Sequence, residues 1–144
     1  MGRRSSDSSW RPVLLVVVVS TALLFAGCVG SGDYTTTIGD PTTGEVIDNV
    51  SINEVTPITG VRLTVHHTAD RVNISSYSLG VYVRENGTFE PLTYYSFDQH
   101  ADSTGVTLDI PGRDETVVEQ QIRVEHRENR TVVDAVDVTV SRVE

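Results

Sequence analysis

In the stretch "FDQHADS", Asp98, His100 and Asp102 stand at alternate positions, two carboxylates flanking an imidazole. Alternate residues of an extended loop project to one side, so these three could converge on a divalent ion. The same spacing also suits an acidic loop that simply faces water. His66 and His67 are adjacent; on a strand they point to opposite faces and cannot easily share an ion. His67 falls in phase with Val61, Leu63 and Val65 and is expected to be a hydrogen-bonded histidine near a strand end. A type-1 copper site needs a Cys ligand and usually an axial Met. Here the one methionine is Met1, and the one cysteine, Cys28, sits directly behind an apolar run. No G-x-S-x-G, H-E-x-x-H, P-loop or dinucleotide fingerprint occurs, and no carboxylates pair in distinct environments. The chain is therefore expected to be no enzyme and to need no cofactor. A domain of this size also offers no interdomain cleft of the kind that encloses a solute.

The remaining reactive side chain is Cys28. Ahead of it, Arg3, Arg4 and Arg11 give a positive start, and "VLLVVVVSTALLFAGCVG" follows with only Ser20 and Thr21 interrupting. Basic residues, then apolar residues, then small residues is the order of a secretory signal. As a helix, Val13 to Val29 would span roughly 25 Å, short of the ~30 Å hydrocarbon core, which suits a cleaved signal better than a permanent span. The five residues "LFAGC" resemble a lipoprotein lipobox, with Leu24, Ala26 and Gly27 in place before Cys28. That resemblance implies a diacylglyceryl-type thioether on Cys28, cleavage before it, and a mature protein beginning at Cys28. A thiolate is the natural nucleophile for the thioether, and two acyl chains hold a protein on its membrane where one binds only marginally. Arg3-Arg4 raises a twin-arginine route. However, eight residues including Asp7 separate the pair from the apolar run, and Sec or Tat export is left open.

Formal charge is −9, and residues 1–27 hold three arginines and Asp7, so their removal leaves −11. Such a surface repels nucleic acid, which is set aside as a partner. All eleven basic residues are arginine and none is lysine. With abundant Asp, Thr and Val, this resembles the proteins of extreme halophiles, and the resemblance implies a surface kept hydrated in molar salt. At ~1 M salt the Debye length is near 3 Å, so self-repulsion is largely screened there and should destabilise the fold in dilute buffer. Four of the five asparagines lie in N-x-S/T sequons, at Asn49, Asn73, Asn86 and Asn129. Each is a candidate glycosylation site on an exported face, Asn86 and Asn129 being in predicted turns.

The positioning elements are strands. Residues 29–44 are mostly Gly, Thr, Ser and Asp with only Tyr34 and Ile38 bulky, so 28–44 reads as a lipidated cysteine and a flexible tether, reaching about 20–25 Å. From 45 to 144 the apolar period is two almost throughout: Val61, Leu63 and Val65; Leu79, Val81 and Val83; Val106, Leu108 and Ile110; Ile122 and Val124; Val136, Val138 and Val140. Asn86-Gly87 accepts positive φ at both turn positions, so 79–84 and 89–97 should be antiparallel partners. About seven strands are expected, in an all-β antiparallel two-sheet sandwich of immunoglobulin or fibronectin III type. A small closed barrel is the alternative. Tyr82, out of phase with Val81 and Val83, and one of Tyr94 and Tyr95 should reach solvent, where aromatics supply contact area. The sequence thus predicts a lipid-anchored module on the extracellular face of the cell membrane, meeting other envelope proteins or surface glycans. Metal or sugar binding through the 98–102 loop is the alternative.

Overall fold

The computed structural model describes residues 28–31, 33–68 and 71–144; the signal segment expected at 1–27 lies outside the described residues. Among the described residues nine strands form: β1 (Cys28–Ser31), β2 (Tyr34–Ile38), β3 (Ile47–Thr56), β4 (Gly60–His67), β5 (Tyr77–Glu85), β6 (Thr88–Tyr95), β7 (Ser103–Leu108), β8 (Val117–His126) and β9 (Val132–Arg142). A single helical turn, α1 (Arg71–Ile74), precedes β5. All pairings are antiparallel, giving a six-stranded sheet ordered β1-β2-β9-β8-β5-β6 and a three-stranded sheet ordered β3-β4-β7. The expected two-sheet antiparallel sandwich forms, with a more lopsided division than that of an immunoglobulin domain.

Period two does the positioning. Val61, Leu63 and Val65 on β4, Leu79 and Val81 on β5, Ile122 and Val124 on β8, and Val136, Val138 and Val140 on β9 are all buried in one core. The buried phase is odd-numbered on β4 and β5 and even-numbered on β8 and β9, so on each strand the alternate residues are held on the outer face.

The strand count exceeds seven because the stretch read as a tether is part of the sheet. Tyr34 to Ile38 pairs with Arg142 to Val138, and Cys28 to Ser31 pairs in turn with Thr37 to Tyr34. Tyr34, Thr36 and Ile38 alternate inward and are buried. Two bulky residues at period two suffice here because β9 supplies a long, ready-made edge, so the ordering cost is offset by ladder hydrogen bonds as well as by burial.

Turn chemistry behaves as its sequence predicts. Asn86 and Gly87 take φ of 52° and 85°, closing β5 onto β6 with Glu85 opposite Thr88. At the β3–β4 turn Gly60 has φ 81°, and a Cβ there would lie 2.2 Å from the Leu108 carbonyl oxygen. That turn is therefore pinned against β7 through a position only glycine can fill.

Side chains also tie one sheet to the other. Gln120, buried on β8, accepts the Asp109 N–H at 3.0 Å and donates to the Asp109 carbonyl at 2.8 Å. The Tyr95 hydroxyl accepts from the Thr107 N–H at 3.3 Å and donates to the Thr107 carbonyl at 3.4 Å. Asp134, fully buried, accepts from Ile47 N–H at 2.9 Å, Thr43 N–H at 3.1 Å and Val46 N–H at 3.2 Å, which fastens the 42–47 segment to β9.

Candidate functional site

The metal candidates do not converge. Asp98, His100 and Asp102 are exposed, and the loop is a closed turn rather than an extended one. Asp98 Oδ1 accepts the His100 N–H at 2.8 Å, and the Ala101 N–H reaches the Asp98 carbonyl. Alternation of side chains fails once the backbone curls, and among the described residues no three His, Cys, Asp or Glu side chains are arranged to hold a metal ion. His67 does end a strand, packed edge-on against Phe97 at 5.4 Å, but neither ring nitrogen finds a partner among the described residues. His66 instead meets Ser51, whose Oγ lies 3.1 Å from Nε2 on the outer face of β3 and β4. This is the distance of a nucleophile and its base. Yet among the described residues no carboxylate orients the other ring nitrogen, and the pair lies on an open sheet face.

Cys28 begins β1, opposite Thr37, on one edge of the six-stranded sheet. Of the sequon asparagines, Asn49 lies on the exposed side of β3, Asn73 in α1, Asn86 in the β5–β6 turn and Asn129 in the β8–β9 turn, and all four are exposed.

A cleft of about 710 Å³ opens where the β3–β4 turn and the β7–β8 connection meet the ends of β5 and β8 and Leu92 of β6. Three large apolar side chains that the core does not use line it: Ile58, 93% exposed at the tip of the turn that Gly60 pins, and the half-exposed Leu92 and Val117. Glu85, Asp109 and Glu115 add carboxylates to the same wall, while Arg84 is held by Glu119 at 3.1 Å. Sequence reasoning missed this surface. Its signals were Ile58 inside a turn sequence, "TPITG", and Leu92 beside Pro91, which sits opposite Tyr82 at a bulge.

The tyrosine face differs from expectation. Tyr82 points outward from β5, but it is 8% exposed rather than free, because Arg123 stacks over its ring at 4.1 Å and Tyr94 meets it edge-on. Its hydroxyl donates to the buried Glu125 and lies 3.1 Å from the Tyr94 hydroxyl. Burial, reinforced by those two hydrogen bonds, raises the phenol well above the ordinary tyrosine range, so Tyr82 stays protonated. Gly80 makes room for the pair, since a Cβ there would come within 2.8 Å of Tyr82 and 3.0 Å of Tyr94. Tyr94 is the neighbour that reaches solvent, under Arg130 at 4.5 Å; Tyr95 turns inward to Thr107. Arg130 also bonds Glu125 at 3.4 Å.

No family model matches the sequence, and no curated protein matches it. Among solved structures, the chain is similar to the crystal structure of chicken MD-1 complexed with lipid IVa, with 17% identity and a TM-score of 0.48, over 81% of this chain and 95% of that one. A likeness at that level carries no argument about function.

Proposed function

We propose that this chain is a lipid-anchored extracytoplasmic β-sandwich that works as a non-enzymatic interaction module in the cell envelope. The lipobox-like "LFAGC" supports the anchor. The observation that carries the reading is the separation of Cys28, on the β1 edge, from the apolar cleft beside β5 and β6. By ladder register Cys28 lies opposite Thr37, Thr37 opposite Thr139 and Thr139 opposite Glu119 on the cleft wall, three strand spacings or roughly 14 Å away, and Leu92 on β6 lies five spacings away, roughly 24 Å. An anchor at the β1 edge leaves the cleft free to meet a partner.

Exposed apolar side chains gathered in a cleft mark an interaction site. Ile58 is held out by a turn that cannot relax, so little ordering entropy is lost on binding. The partner is a protein segment with aliphatic side chains flanked by Arg or Lys, which complements Glu85, Asp109 and Glu115. Those carboxylates repel anionic lipid headgroups, which makes the cleft a poor membrane contact.

A photoreactive residue at Ile58 of the full-length protein in its own membrane tests this, with Asn53 as the control position. A discrete protein adduct from Ile58 only, lost on Leu92→Ser, supports the reading, provided the purified partner binds the wild type and the Glu115→Arg change weakens it. Lipid adducts, or the same ladder from both positions, overturn the cleft. Mass spectrometry finding residues 1–27 intact and an unmodified Cys28 thiol overturns the anchor.

A further inference from the structure

The outer face of β5, β6 and β8 carries a second constellation that the apolar cleft does not use. Three of the eight arginines beyond Cys28 fall within residues 123–130, in a chain whose remaining charge is −11. Arg130, at φ 60°, closes the β8–β9 turn, its N–H donating to the His126 carbonyl at 2.9 Å. Glu125, buried beneath, bonds the Arg130 side chain at 3.4 Å, and the Tyr94 ring lies under its guanidinium. Arg127 is fixed by its Nε–H, which donates to the Tyr77 carbonyl at 2.9 Å, and its terminal fork has no partner among the described residues. Both arginines line a depression of about 340 Å³ with Ser78, Tyr94 and Ser96. The Ser78 Oγ is buried and unpartnered among the described residues, an arrangement that costs free energy unless something completes it.

We propose that this depression binds one acidic sugar residue of uronate type. The Arg127 fork and the free donors of Arg130 take its carboxylate in the two-point geometry that guanidinium and carboxylate share. Ser96 and Tyr94 meet its hydroxyls. A bare inorganic anion would use the arginines and leave the hydroxyl groups unmet, whereas a neutral sugar would leave the arginines unmet. The volume lies at the small end of ligand sites, which run from about 300 to 1,000 Å³, and suits a single ring. The site stands independently of the partner cleft and of the anchor.

Calorimetric titration of the purified full-length protein with glucuronate, glucose and inorganic sulfate tests it. Glucuronate should saturate, with glucose and sulfate weaker by about tenfold or more, the equivalent of one charge-assisted hydrogen bond. Arg127→Met should weaken glucuronate by a similar factor, while the lost bond to the Tyr77 carbonyl lowers the melting temperature only slightly and leaves the protein folded at the titration temperature. Arg130→Lys, which keeps the charge and loses the fork, should do the same, and Ser96→Ala should weaken glucuronate and leave sulfate alone. No saturable isotherm with glucuronate, equal affinity for sulfate and glucuronate, or an unchanged Arg127→Met overturns the proposal.

Discussion

A carboxylate with no solvent contact is ordinarily a liability, and Asp134 shows how a strand can carry one. Burial opposes its ionisation, but backbone N–H bonds from Ile47, Thr43, Val46 and Gly44 outweigh that and hold it below the ordinary aspartate range. A folded-state pKa lower than the unfolded one contributes stability that is complete above the unfolded value of 3.8 and is lost as pH falls below it. Urea denaturation should therefore show stability falling steeply below that pH in the wild type. Asp134→Asn should cost about 3 kcal/mol at neutral pH, since the amide cannot accept on both sides, and should flatten the acid limb. If the variant keeps wild-type stability, the carboxylate is not the fastener of the 42–47 segment. The sequence held a signal for it: Asp134 stands in phase with Val136, Val138 and Val140, where a charge must be satisfied internally. Tyr82 shows the converse. Its outward phase was legible, but its burial was not, because the residues that cover it, Tyr94 on β6 and Arg123 and Glu125 on β8, are distant in sequence.

Elements with a strong period, such as β4, β5, β8 and β9, and the Asn86-Gly87 turn were legible because each is decided locally. β1 and β2 were not, because they exist only against the edge that β9 offers, and no local composition announces an edge. The cleft was illegible for a similar reason. Ile58, Leu92 and Val117 lie on three elements that only the packing of two sheets brings together. Inter-sheet ties have the same character: Gln120 sits in the core phase of β8 and imitates a strand toward Asp109. Gln120→Leu keeps the volume and removes both bonds, leaving the Asp109 N–H and carbonyl without that partner. It should cost about 2 kcal/mol in chemical denaturation, with the β7–β8 connection losing order first. An unchanged midpoint would mean that water replaces the amide without loss.

At the scale of the molecule, charge and topology set the conditions of work. With −11 beyond residue 27, self-repulsion opposes compaction, and screening relieves it. The melting temperature of the full-length protein should rise from dilute buffer to molar salt, and equal values would show that its carboxylates do not repel across the surface. A fragment starting at Glu45 should be less stable at every salt concentration, since it lacks Tyr34 and Ile38, each worth about 1.5–3 kcal/mol of burial. The position of Cys28 within β1 has a mechanical consequence. A load carried between a lipid on Cys28 and a partner gripping the β6 side would pull across the strands, so the β1–β2 and β2–β9 hydrogen bonds would open one after another rather than all at once. The mount would then yield at its outermost strands and release residues 28–38 as a leash of up to about 40 Å when taut, while Asp134 still holds the 42–47 segment, sparing the core and letting the grip survive a jolt.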